Sequence, residues 1–210
     1  MKKYLLLFFQ GLVIPYTIIL FQLFSGIFNK LDSLILSLLS YWFYIIIVSL
    51  IFAIKDNTLS EKLKSIFGKS NSLLISLICF IPVIGVLIVA FLPIIPNIRL
   101  SLLIVGILLG LMNGILEEIF WRGFILAKFK ENFIIISIIS VILFSANHSA
   151  FLFLKFNYQG GATNLIGGPL IMGALWLFVA KKTSTIKYGI YAHQLVNILA
   201  FTSMFVLNIS

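Results

Sequence analysis

The sequence predicts an all-α fold: a polytopic membrane helix bundle of about seven transmembrane helices. Three observations carry this. Of 210 residues, 61% are hydrophobic and 10% are charged, whereas a soluble domain carries about 25% charged residues. Apolar runs recur at close to the ~20 residues that a helix needs to cross a bilayer. They do not alternate as the strands of a membrane barrel would.

Taken in order, the spans read Tyr4–Phe28, Leu34–Ile54, Ser72–Leu92, Leu100–Ala127, Phe133–Leu154, Leu165–Ala180 and Tyr188–Leu207. Met1-Lys2-Lys3 followed by apolar sequence resembles a signal peptide. No small-residue cleavage site follows, so it reads as a retained first span. Asn29–Ser33 reads as a tight connection. Lys55–Asn71 is the longest polar segment, and Leu59, Leu63, Ile66 and Phe67 fall near helical spacing among lysines, as in a short amphipathic helix on the membrane surface. Pro93, Pro96 and Asn97 mark a turn. The sixth span is short and holds Gly167, Gly168, Pro169 and Gly173, so its start is the loosest boundary. With no repeat and no separate soluble segment, residues 1–210 read as one integral membrane domain.

The net charge of +9 does not point to nucleic acid, because the basic residues sit in small groups between apolar runs. With the N-terminus in the cytoplasm, the inner segments hold Lys2, Lys3, Lys55, Lys62, Lys64, Lys69, Lys128, Lys130, Lys181, Lys182 and Lys187. The outer segments hold Lys30, Arg99 and Lys155. That asymmetry predicts a cytoplasmic N-terminus and a multi-pass protein of the cell membrane, with the lipid bilayer as its first partner. The single cysteine, Cys79, lies in an apolar run and reads as a small buried hydrophobe.

The fourth span holds residues that lipid penalises. Glu117, Glu118 and Arg122 are its charged residues between Leu100 and Ala127, and each ionised group at membrane depth costs a few kcal/mol. Gly106, Gly110, Gly114, Glu118 and Arg122 are four apart and share one stripe. Small residues there let another helix approach closely, and Glu118 and Arg122 form an i,i+4 pair in the favourable order. Asn113, Glu117 and Trp121 form the neighbouring stripe. A buried ion pair that locks packing would explain this span alone. The two histidines weaken that reading, since His148 and His193 both lie in apolar spans, with Asn197 one turn beyond His193. Two glutamates and two histidines suffice for a zinc site with an open position, or for a glutamate that activates water. Histidine and asparagine donors suit an oxyanion. His-Glu-x-x-His, Gly-x-Ser-x-Gly and a Gly-rich phosphate loop are all absent from the sequence.

Three motifs carry a resemblance. Glu117-Glu118-Ile119-Phe120-Trp121-Arg122, Phe144-Ser145-Ala146-Asn147-His148 and His193-Gln194-Leu195-Val196-Asn197 lie in order on three spans. Together they resemble the CPBP family of intramembrane metalloproteases, which includes CAAX prenyl proteases, bacteriocin-processing or immunity proteins and abortive-infection proteins. The family-like core is about residues 100–200. The resemblance implies an intramembrane endopeptidase acting at the cytoplasmic side on a membrane-associated peptide or lipidated, CAAX-type protein. The alternative is a non-catalytic bacteriocin self-immunity protein.

By that resemblance Glu117 activates the attacking water, and Glu118 and Arg122 orient or support it. His148 assists the water or binds a metal; His193 and Asn197 stabilise the oxyanion or complete the polar site. Zn2+ or another divalent metal on Glu117, His148 and His193, and a metal-free glutamate mechanism, both stay open. Of the two glutamates, Glu118 is expected to be held by its own helix and Glu117 to be freer. CAAX members resemble eight-span proteins, and this chain shows about seven. Counted at 1.5 Å per residue from the inner end of each span, Glu118 sits about 14 Å deep, His193 about 8 Å and His148 about 22 Å. Tilt, or an interfacial first turn near Phe133–Ser137, would bring them level in the inner half or middle of the bilayer.

Overall fold

The computed structural model describes residues 4–55, 64–129 and 131–209. Among them, seven helical stretches are long and apolar enough to cross a membrane. They are α1 Tyr4–Ile27, α2 Lys30–Lys55, α3 Leu73–Asn97, α4 Leu100–Lys128, α5 Phe133–Leu154, α6 Gly161–Thr183 and α7 Lys187–Ile209. No strand occurs among the described residues. Large side chains such as Leu74, Ile81, Ile134 and Ile171 stand exposed on the outside of the bundle, which is where lipid replaces water.

The bundle is built around α7. Its most apolar window is 61% buried, against 11% for α3, so α7 is the central post and α3 lies at the lipid boundary. The closest helix approach is between α7 and α4, and the glycine stripe is the reason. A Cβ on Gly110 would lie 2.7 Å from the backbone nitrogen of Ile198, and one on Gly114 2.8 Å from that of Gln194. A methyl group does not fit at such distances, so glycine sets the spacing of these two backbones.

Several boundaries differ from expectation, each for a local reason. The expected connection at Asn29–Ser33 is instead the start of α2. Asn29 Oδ1 accepts the Asp32 backbone N–H at 2.9 Å, which satisfies a first-turn donor as an N-terminal cap does. The expected turn at Pro93 and Pro96 is helical. After a π-helical stretch at Leu87–Phe91, the chain tightens into a 3-10 helix over Leu92–Asn97. Proline lacks the N–H that the α ladder needs, and the ladder changes pitch instead of stopping. The sixth span begins earlier, at Gly161, and carries Pro169 inside it.

Of the expected amphipathic helix, Leu59, Lys62 and Leu63 lie outside the described residues. Ile66 is buried against protein. It packs with Ala180, Ile186 and Ile190, and its carbonyl accepts from the Ile186 N–H at 2.9 Å and the Thr185 hydroxyl at 2.7 Å. This segment therefore closes the end of the bundle beneath the α6–α7 turn.

Candidate active site

The α-helical ladder of α4 breaks at the paired glutamates. Leu100–Glu117 is α-helical, Glu118–Gly123 is a π-helix, and Phe124–Lys128 is α-helical again. Widening a membrane helix leaves backbone carbonyls to be satisfied, and π-turns recur at functional sites for the side chains they redirect. Here the Gln10 amide of α1 donates to the Phe120 carbonyl at 2.9 Å, and the Ser140 hydroxyl of α5 donates to that of Trp121 at 3.2 Å.

Around this turn the charged groups form one buried cluster. His193, on α7, lies between the two glutamates. Its Nδ1 is 2.8 Å from Glu118 Oε1 and its Nε2 is 3.2 Å from Glu117 Oε2. Arg122 Nη1 is 3.1 Å from Glu118 Oε1, a contact of charge without the alignment of a hydrogen bond. The guanidinium carbon stands 3.9 Å from the Phe144 ring centre, so the cation is also held by an aromatic face. Glu117, Glu118, Arg122 and His193 are each at most 3% exposed. Buried charge of this density persists only when it is mutually compensated. Small residues make the room: a Cβ on Gly189 would lie 3.1 Å from Glu118 Oε2, and one on Gly173 3.0 Å from Arg122 Nη2.

Glu117 is the more heavily bonded of the pair, contrary to the expectation that it is the freer one. Tyr41 of α2 donates to Oε1 at 2.7 Å, and Asn113 donates to Oε2 at 2.8 Å. Each donor is itself fixed. Trp121 Nε1 donates to the Tyr41 hydroxyl at 3.0 Å, and Trp42 Nε1 donates to Asn113 Oδ1 at 2.8 Å. Tyr41 and Trp42 are site residues that the sequence reading missed. Both lie in an apolar span where an aromatic residue usually means packing. The available signal was the presence of two adjacent aromatic side chains with polar tips.

A cavity of about 550 Å³ lies beside the cluster. At its deep end it is lined by Asn113, His148, His193 and Asn197, with Glu117 immediately behind Asn113 and His193. His148 is thus brought to the site despite the mismatch in counted depth. The Phe144 ring touches both histidines, with centroids 4.7 Å from His148 and 6.0 Å from His193. His148 nevertheless stays outside the Glu–His–Glu contacts. Its Nδ1 is 2.9 Å from the Phe144 carbonyl. A carbonyl only accepts, so Nδ1 carries the proton and a neutral ring keeps the lone pair at Nε2. Asn197 Nδ2 is buried and has no hydrogen-bond partner among the described residues.

The ligand set Glu117, His148 and His193 does not fit a shared metal ion as placed. Both nitrogens of His193 already face carboxylates. Among the described residues no group of three or more His, Cys, Asp or Glu side chains is arranged to hold one ion. Cys79 is buried on α3 with its carbonyl accepting from Trp176 Nε1 at 3.0 Å, a packing role.

Residues 99–199 match the family model described as type II CAAX prenyl endopeptidase, Rce1-like. No curated protein matches the chain, and no solved structure matches it. The matched segment holds all six polar residues singled out in the sequence, and Tyr41, Trp42 and Gln10 lie outside it. Over that segment, just under half of its length, with the paired glutamates and two histidines, the chain is similar to Rce1-like type II CAAX prenyl endopeptidases, which is consistent with the CPBP family.

Proposed function

We propose that this chain hydrolyses a peptide bond of a membrane-associated, CAAX-type protein or peptide by a glutamate-dependent activation of water. The observation that supports this most directly is the pairing of the Glu117–His193–Glu118 cluster with a cavity wall carrying His148 and Asn197. Water sits at the deep end of the cavity against His148 Nε2. As the water oxygen bonds to the substrate carbonyl carbon, its proton passes to Nε2. The Glu117 carboxylate interacts electrostatically with His148 and stabilises the resulting imidazolium, as the carboxylate of a triad does. Asn197 Nδ2, the unpartnered donor, meets the charge that develops on the carbonyl oxygen. The C–N bond then breaks, and the proton returns from His148 to the leaving amine. His193 lies between two carboxylates and fixes their geometry.

The test is cleavage of a membrane-anchored peptide with a prenylated C-terminal tail in proteoliposomes. The parent is compared with Glu117→Gln, Glu118→Gln, His148→Ala and His193→Ala. Loss of cleavage in all four is expected, whereas equal cleavage by the parent and the four variants would overturn the reading. Adding 1,10-phenanthroline separates the mechanisms. An unchanged rate is expected because both nitrogens of His193 already face carboxylates, and abolition by the chelator would restore a metal to the mechanism.

A further inference from the structure

α3 is the least buried of the seven spans and lies outside the matched segment, yet one of its carbonyls is joined to the Glu–His–Glu cluster. Its helical ladder changes pitch at Cys79. Ile78–Phe80 is 3-10 helical, and α-helix resumes over Ile81–Val86 with Phe80 as its N-cap. At 3-10 pitch the donor for the Cys79 carbonyl would be Pro82, which has no N–H. The α ladder that follows takes the Phe80 carbonyl as its first acceptor. The Cys79 carbonyl therefore falls between the two ladders, and a buried carbonyl left unmet is costly. Trp176 of α6 meets it, with Nε1 donating at 3.0 Å.

The same indole stacks on His193. The ring centres are 4.5 Å apart and the planes are tilted by 34°, whereas Phe144 meets His193 edge-on, at 87°. With Nδ1 2.8 Å from Glu118 and Nε2 3.2 Å from Glu117, His193 keeps both contacts in one ring plane, and a turn about its χ2 breaks them together. A flat aromatic face resists that turn. Trp176 is buried, and in a close-packed interior it has little room to follow a turning ring. Resting on the protease reading, we propose that Trp176 is a positioning residue. Its face sets the plane of His193, and its N–H ties that plane to α3 at the carbonyl that Pro82 leaves open. α3 thereby supports the cluster through a backbone atom.

The experiment has two arms. The first needs no substrate. The chain has two histidines, so nitrogen-15 histidine labelling in micelles gives few signals, and comparison with His148→Ala assigns those of His193. The Nδ1 proton bonded to Glu118 is expected to exchange slowly with water in the parent. Trp176→Leu removes the aromatic face and should speed that exchange; Trp176→Phe keeps a smaller face and should speed it less. Exchange unchanged in Trp176→Leu overturns the proposal. The second arm is cleavage in proteoliposomes. Trp176→Phe, which loses the N–H, is expected to lower kcat roughly tenfold and Trp176→Leu up to about 100-fold, the scale of a misplaced catalytic group. A loss carried by KM alone, or no loss, makes Trp176 a cavity wall and overturns the proposal. Pro82→Ala gives α3 its own donor for the Cys79 carbonyl, so Trp176→Phe combined with Pro82→Ala should unfold like Pro82→Ala alone and still show the lower kcat. Recovery of kcat together with stability would make the indole N–H a structural bond only. Absence of cleavage by the parent would strike the protease reading and leave the exchange result standing.

Discussion

His193 is held at both ring nitrogens by carboxylates, with Nδ1 2.8 Å from Glu118 and Nε2 3.2 Å from Glu117. A neutral imidazole has one N–H, and two such contacts need two protons. The cluster therefore holds one proton more than a neutral ring and two carboxylates would. With Arg122, the total charge of the four residues is then zero, which is the state that burial favours.

Replacing Glu117 by Gln keeps its shape and removes the charge that supports proton transfer at His148. A fall in kcat of roughly 100-fold or more is expected, in the range of a lost acid–base contribution. KM should stay near the parent value, because Glu117 stands behind the cavity wall. Steady-state kinetics on the anchored peptide separate the two, and a loss carried wholly by KM would contradict this placement.

Arg122 is a counter-charge before it is anything else. Arg122→Ala leaves Glu118 buried with less compensation and is expected to cost about 3–5 kcal/mol of stability. Arg122→Lys keeps the charge. It loses the planar face that lies 3.9 Å over Phe144, and an ammonium is not equivalent there. Partial recovery is expected, measured by denaturant unfolding in detergent micelles. Full recovery by lysine would show that the aromatic contact contributes little.

Tyr41 links two spans through its hydroxyl, which donates to Glu117 and accepts from Trp121. Tyr41→Phe removes one atom and leaves the Trp121 N–H and one Glu117 lone pair unmet. About 1–3 kcal/mol of stability is expected to be lost. A kcat reduced about tenfold, with the same KM, should accompany it if the hydroxyl orients Glu117. Destabilisation with an unchanged kcat would make Tyr41 a packing residue only.

Much of the bundle was legible because lipid enforces it. Seven apolar runs became seven helical stretches, and the four-residue glycine spacing identified the face that meets α7. The Glu118–Arg122 pair was readable from its spacing, even though that turn is π-helical. Harder to read was anything that depended on contacts between distant spans. Gln10, Tyr41 and Trp42 reach the site from α1 and α2, where neighbouring residues give no hint of a polar partner. The role of His193 between the glutamates is likewise a product of how closely α7 approaches α4. The depth count misplaced His148 because it treated each span as an independent upright rod.

The glycine stripe gives a prediction with an internal control. Gly110 and Gly114 face the α7 backbone, where a Cβ would lie 2.7 Å and 2.8 Å from the nitrogens of Ile198 and Gln194. Backbone cannot rotate aside as a flexible side chain can, so either alanine must push α7 away from α4. That displacement would also pull His193 from Glu117 and Glu118. Gly110→Ala and Gly114→Ala are each expected to lose about 1–3 kcal/mol, the usual range for overpacking, and to lower cleavage beyond what the unfolded fraction explains. Gly11 and Gly26 have nothing within 4 Å of a built Cβ. Both lie in α1, where alanine is the better helix former by about 1 kcal/mol, so Gly11→Ala and Gly26→Ala should be neutral or stabilising. Thermal unfolding in micelles across the four variants checks the contrast. Equal effects at all four positions would show that close helix contact does not set the requirement for glycine in α4.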